Sequence, residues 1–194
     1  MPALLGSDEA PPAWPLAVAP ADELAARARL DALGPGPWLA VTWRAGTDVA
    51  RGREFGAERS LLSKAAPAAA LGGALRGWRG SVMLLQRGAR EGEAAAFAAA
   101  LQAPAHDLSA LGDDLRALAA TLAAVDDYVA VSNTNVHLMA GLGRRARVLV
   151  PQPPEWRWMH EGASPWFPGF PVYRQPPSRD WGSPLAGLRK DLIG

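Results

Sequence analysis

A chain of 194 residues with 49% hydrophobic and 20% charged side chains can bury a full domain core, which excludes a disordered tail. Its formal net charge of +1, from 20 basic and 19 acidic residues, supplies no global field for nucleic acid. The absence of cysteine excludes thiol catalysis, disulfide scaffolds and cysteine-ligated zinc.

Residues 1–21 read as a Pro/Ala-rich lead-in. Asp8 and Glu9 precede any basic residue, and Pro11, Pro12, Pro15 and Pro20 interrupt the apolar stretch, which is not the pattern of a secretory signal. No apolar run approaches the roughly 18 residues of a membrane helix, so a cytoplasmic protein without a membrane span is expected. Asp22 near the start and Gly34-Pro35 at the end predict a helix over Ala21 to Leu33. Trp38 to Trp43 is a compact apolar run and reads as a buried strand. Arg44 to Arg59 is polar and glycine-containing, a long loop of the kind that carries function. Ser60 to Arg76 reads as helix, Ser81 to Gln86 as strand and Glu91 to Leu101 as helix. Ala105 to Leu108 is a short strand. Leu115, Leu118, Leu122 and Val125 form one face of a helix over Asp113 to Val125. Asp127 to Val131 is a strand, Asn133 to Leu142 a helix closed by Gly143, and Arg147 to Val150 another strand. An aromatic, proline-rich stretch runs to about Pro171. Val172 to Gln175 and Ser183 to Leu192 read as a last strand and helix.

Alternating near-continuous apolar strands and helices predict an α/β domain whose parallel sheet is covered on both faces. Right-handed crossovers place the strand-to-helix loops on one edge, where such folds bind ligands. Three loops qualify by chemistry: Arg44 to Arg59, Gln86 to Arg90, and Ser132 to His137. In the last, Ser132, Asn133 and Thr134 are good N-cap residues, so a capped helix is the plain reading. The same geometry makes a phosphate site from free N–H groups and the helix dipole, with His137 in the first turn as a further donor. In Trp43-Arg44-Ala-Gly46-Thr-Asp48, Gly46 permits close backbone approach and Arg44 offers a forked donor for an anion; an ordinary turn is the alternative. GxGxxG, GxxxxGK[ST] and GxSxG are all missing from the sequence. His106, His137 and His160 lie on separate elements, which argues against a metal site. Eighteen of the basic residues are arginine, only Lys64 and Lys190 being lysine, a compositional bias rather than an anion-binding signal. Trp156, Trp158, Trp166 and Trp181 cluster late in the chain, where they either stack on a ligand or pack; packing is expected for these four, and stacking stays open for Trp43.

An ordered series of motifs resembles a known pattern: Val131-Ser-Asn-Thr-Asn-Val-His137-Leu-Met-Ala-Gly141-Leu-Gly143, Val148-Leu-Val-Pro151, Glu155-Trp-Arg-Trp158, Ser164-Pro-Trp-Phe-Pro168, Tyr173-Arg-Gln175 and Asp180-Trp181. It is similar to the carboxyl half of heptosyltransferase-like glycosyltransferases, in particular those attached to bacterial tetratricopeptide-repeat proteins. Leu39 to Gly46 and Met83 to Gln86 fit the first two strands of the same half, and the match runs from about residue 37 to 192. The resemblance implies a three-layer, Rossmann-like domain of five to six parallel strands over residues 22–194, half of a GT-B enzyme. It further implies a nucleotide-sugar donor, no cofactor and no metal. By position, Ser132, Asn133, Thr134 and His137 fall where the family holds the donor diphosphate. Trp43, Arg44 and Gly46 fall on the cleft loop, and Gln86 on the nucleotide side. Many family members carry Asp-Thr where this chain has Ser132-Asn133, which leaves the donor's identity open. No amino-terminal Rossmann half precedes residue 22, so a second domain or partner chain is expected to complete any catalytic site, and no catalytic residue is assigned. The alternative is a non-catalytic interaction or nucleotide-sensing module derived from that fold.

Overall fold

Strands buried on both faces must be apolar at every position, not at alternate ones, and the runs Leu39-Ala-Val, Val82-Met-Leu and Tyr128-Val-Ala-Val meet that demand. The computed structural model describes residues 13–45 and 64–194. Helix α1 (Pro20–Leu33) leads into β1 (Trp38–Thr42). Two short strands, β2 (Arg44–Ala45) and β3 (Lys64–Ala65), precede α2 (Ala68–Ala74), β4 (Ser81–Leu84), α3 (Glu93–Leu101) and β5 (Ala105–Asp107). A 3-10 turn (Ser109–Asp113) joins β5 to α4 (Leu115–Ala124), and β6 (Asp127–Val131), α5 (Thr134–Gly141) and β7 (Arg147–Val150) follow. A second 3-10 turn (Trp156–Trp158), β8 (Val172–Arg174) and α6 (Gly182–Ile193) complete the described chain.

Six strands make one sheet in the order β5-β4-β1-β6-β7-β8, and every neighbouring pair is parallel. Numbered along the chain, those six strands lie in the order 3-2-1-4-5-6, the doubly wound, Rossmann-like arrangement. The order reverses between β1 and β6, whose register pairs Leu39 with Asp127 and Thr42 with Ala130.

Alternate strand residues feed two cores. Ala40, Met83, Tyr128, Ala130, Val148 and Val150 pack beneath α1, α4 and α5, together with Trp158, Phe167 and Phe170. Leu39, Val41, Val82, Leu84, Val129, Val131 and Leu149 pack beneath α2, α3 and α6. The result is the expected three-layer α/β domain with a six-stranded parallel sheet. At its amino edge, Arg147 on β7 donates to Asp127 on β6 at 2.7 Å and to the Tyr173 hydroxyl at 3.1 Å, and that hydroxyl donates to Asp191 on α6 at 2.9 Å. Residues 13–19 of the lead-in run against α5, where Leu16 N–H donates to Gly141 O at 2.8 Å.

Of the helix expected over Ser60 to Arg76, residues 60–63 lie outside the described residues; within 64–76 the helix covers only Ala68–Ala74, and Lys64–Ala65 is strand. Lys64–Ala65 pairs antiparallel with Arg44–Ala45, and Ala66 N–H donates to the Trp43 carbonyl at 2.8 Å. Pro67 restricts the residue before it to extended conformation and caps α2 without a donor of its own. The helix therefore starts only at Ala68. Elsewhere the expected helices match to within about two residues, and α4 starts where the Asp114 carboxylate accepts from the N–H groups of Arg116 and Ala117, each at 3.0 Å.

Two adjacent glycines of α2 differ in what surrounds them. A methyl on Gly72 would stand 2.3 Å from the Phe97 carbonyl of α3, whereas one on Gly73 meets nothing within 4 Å. Gly72→Ala is expected to destabilise the chain by about 1–3 kcal/mol. Gly73→Ala should instead stabilise it by up to about 1 kcal/mol. Denaturant unfolding of the two variants checks the opposite signs.

Candidate functional site

The sheet's carboxyl edge, at the reversal in strand order, carries a cleft of about 790 Å³. Parts of all three chemically marked loops meet there. Arg44 and Ala45 form β2 just beyond the end of β1, Gln86, Arg87 and Gly88 follow the end of β4, and Asn133, Thr134 and Asn135 come from the start of α5. Thr42 and Leu85 lie on the floor side, and Leu115 and Leu118 of α4 form an apolar wall. The described lining holds two arginines and no Asp, Glu or His.

Each polar group has a structural reason for its position. The Gln86 side chain is buried; its Oε1 accepts from the N–H groups of Trp43 at 3.0 Å and Arg44 at 2.8 Å. Its Nε2 donates to the carbonyls of Arg44 at 3.1 Å and Arg87 at 2.9 Å. Gln86 thus clamps the bend between β1 and β2, with its amide occupied by backbone. Arg44 donates to Glu93 at 2.8 Å and to the Gly88 carbonyl at 2.9 Å, while its buried Nε has no hydrogen-bond partner. Burial raises the Glu93 carboxyl, but hydrogen bonds from Arg44, Arg90 and Trp43 outweigh it and hold the group below its ordinary value. Arg87 is largely exposed and reaches Asp113 at 2.9 Å. Asn133 caps α5 by accepting from Val136 N–H at 3.1 Å.

The residues expected to act together on the β6–α5 loop separate into two groups. Asn133, Thr134 and Asn135 line the cleft. Ser132 is buried and donates its hydroxyl to Glu155 in the segment after β7. Glu155 also pairs with Lys64 at 3.5 Å and Arg157 at 2.8 Å. His137 belongs to this second group: its ring meets Phe167 edge-on at 5.0 Å, and it senses the charges of Arg157, Glu155 and Lys64. Burial raises the Glu155 carboxyl, yet Ser132, Lys64 and Arg157 together keep it below its ordinary value. Desolvation pushes His137 down, and Arg157 and Lys64 add to that against the pull of Glu155.

Trp43 is core: its ring stacks on Phe97 at 5.6 Å and its indole N–H donates to Glu93 at 3.3 Å. It presents no face to a ligand. Trp158 and Trp181 are buried and Trp166 is half-buried, as packing requires, but Trp156 is 61% exposed beside Trp166, with the Arg157 guanidinium 4.9 Å from its ring. Gly46 lies outside the described residues. Arg87, Leu115 and Leu118 of the cleft, and Lys64, Glu155 and Arg157 of the ion cluster, carry no spacing that joins them in sequence. Among the described residues no group of His, Asp and Glu is placed to hold a metal ion, and no helix is long and apolar enough to cross a membrane. No protein-family model, curated protein or solved structure matches this chain.

Replacing Gln86 by Leu strands two backbone N–H groups in the β1–β2 bend, and unfolding measurements should show a loss of about 1–3 kcal/mol. His137 supplies a pH test with a definite sign. Because its folded pKa is depressed, the unfolded chain binds the proton first, so the histidine favours folding above its ordinary value of about 6.5. That contribution disappears as pH falls through the lower folded value. The melting temperature of His137→Gln should therefore decline less than that of the parent chain between about pH 7.5 and about pH 5, measured at constant ionic strength.

Proposed function

We propose that this chain is the donor-binding domain of a metal-independent glycosyltransferase, holding a nucleotide sugar and relying on a second domain or partner chain for catalysis. The observation that carries the reading is the cleft at the strand-order reversal, lined by two arginines and a capped helix start and by no carboxylate. A diphosphate suits that lining. The N–H groups at the start of α5 and the positive end of its dipole favour an anion, and Arg87, exposed and paired only with an equally exposed Asp113, can turn its guanidinium to it, while Arg44 is held by Glu93 and the Gly88 carbonyl. Leu115 and Leu118 offer an apolar surface against which a nucleoside can lie. The motif series from Val131 to Trp181 supports the same assignment.

In such a transfer an acceptor oxygen bonds to the anomeric carbon as the bond to the diphosphate breaks. Donors fixed at the helix start stabilise the charge that develops on the departing nucleoside diphosphate. The acceptor's proton needs a base, and the described lining contains neither carboxylate nor imidazole. In this reading the base comes from the second domain or partner, and this chain alone binds donor without turning it over.

Calorimetric titration with UDP, GDP, ADP and CMP tests the reading. At least one should bind at a single site, and failure of all four at millimolar concentration would sink it. Arg87→Ala, a change at an exposed side chain, should weaken the nucleotide that binds by roughly 3- to 10-fold while leaving the melting temperature nearly unchanged.

A further inference from the structure

Tyr128 is the one fully buried phenol of the chain, and nothing in the donor-binding reading uses it. Its hydroxyl sits beneath the cleft, on β6, at the meeting point of three side chains that line that cleft. It donates to Thr42 Oγ1 at 2.9 Å, and Asn133 Nδ2 donates to it at 3.0 Å. Asn135 adds a further hydrogen bond. Thr42 Oγ1 in turn donates to the Leu85 carbonyl at 3.2 Å, and Asn133 Oδ1 accepts from Val136 N–H at 3.1 Å. One continuous chain of hydrogen bonds therefore runs from the end of β4, through the end of β1, under the reversal point and into the first turn of α5.

The order of donors in that chain has a chemical consequence. An Asn side chain can turn either its oxygen or its nitrogen toward the helix, and only the oxygen can cap Val136 N–H. The Tyr128 hydroxyl lies 3.0 Å from Nδ2 and 3.5 Å from Oδ1; its one proton goes to the nearer Thr42 Oγ1 at 2.9 Å, so it accepts from Nδ2 and leaves the oxygen to the helix. With Val136 N–H satisfied by the cap, the first turn of α5 is held in place where Thr134 and Asn135 line the cleft.

We infer that Tyr128 is a positioning residue: through Asn133 it pre-sets the first turn of α5 as the anion-binding wall of the cleft. The inference rests on the donor-binding reading and adds the element that organises the site before ligand arrives. A pre-set wall binds more tightly than one that must order on binding, because the ordering cost is met during folding.

Tyr128→Phe keeps the ring that fills the core and removes only the hydroxyl. Titrated with UDP, GDP and ADP, it should bind at one site per chain, with affinity reduced at least about fivefold. The double variant Tyr128→Phe/Asn133→Ala should bind no more weakly than Asn133→Ala alone, since the phenol acts through the amide. Tyr173→Phe makes the same change in the amino-edge network; it should lower the melting temperature and leave affinity unchanged. A ligand-free readout is the pair of Asn133 side-chain amide signals in NMR spectra, which should shift and broaden in Tyr128→Phe. Affinity of Tyr128→Phe within twofold of the parent, additive losses in the double variant, or unmoved Asn133 amide signals would each overturn the inference. Failure of the donor-binding reading shows instead in the parent chain, as absence of binding to every nucleotide, and takes the affinity role of Tyr128 with it.

Discussion

A parallel sheet has no face for water, and that constraint organises the rest of the molecule. The central strands β1, β4 and β6 are buried at every position but the first of β1 and β6, so their polar backbone must be satisfied by neighbouring strands and their side chains by helices on both sides. Polar chemistry is thereby driven to the strand ends. At the amino edge the answer is Asp127, Arg147, Tyr173 and Asp191, a closed set of mutual partners. At the carboxyl edge Gln86 and Tyr128 anchor the turns, yet Arg44 Nε is left without a partner. The two edges solve the same problem differently: the amino edge pairs its charges across a smaller cavity of about 390 Å³ beside Asp127 and Arg147, whereas the carboxyl edge opens the larger cleft at the strand-order reversal.

The β6–α5 loop shows how one short segment serves two environments. A helix start exposes successive residues on different sides, so neighbours in sequence need not be neighbours in function. Asn133 to Asn135 turn to the cleft. Ser132 and His137 turn to Glu155, Lys64 and Arg157, where a carboxylate already occupies the position of an anion. The cluster ties β3, the segment after β7 and the start of α5 together. Its contribution is to the shape of the loop.

Much of this was legible in the amino-acid order. Apolar runs bounded by Gly, Pro and Asn marked the strands, and Asn133 and Asp114 marked helix starts, because those signals are local. The convergence of three loops on one edge followed from handedness alone. What escaped were relations between distant residues. Nothing near Gln86 says that its amide will clasp the backbone of Trp43 and Arg44, some forty positions earlier. The helical composition of 60–76 concealed a strand because pairing with Arg44–Ala45 overrode propensity, and Pro67 set the boundary. Trp43 looked available for stacking beside a polar loop, but its neighbour Phe97 lies on α3, and tertiary packing claimed it. Arg44 was marked by its loop, but Arg87, one of the arginines discounted as composition, also lines the cleft.

The strand order also bears on how the molecule comes into being. The hydrogen bond between Tyr128 and Thr42 closes 86 positions of chain, and the cleft takes its walls from both sides of that gap. Neither the stretch up to β5 nor the stretch after it forms the cleft alone. Non-local pairing of this kind forms late, since loop closure must precede its reward. During synthesis, the capacity to hold a ligand would therefore arise in a single step, when β6 inserts beside β1. Any ligand of the cleft would act as a clasp on the finished sheet, favouring the joined chain over every partly assembled one.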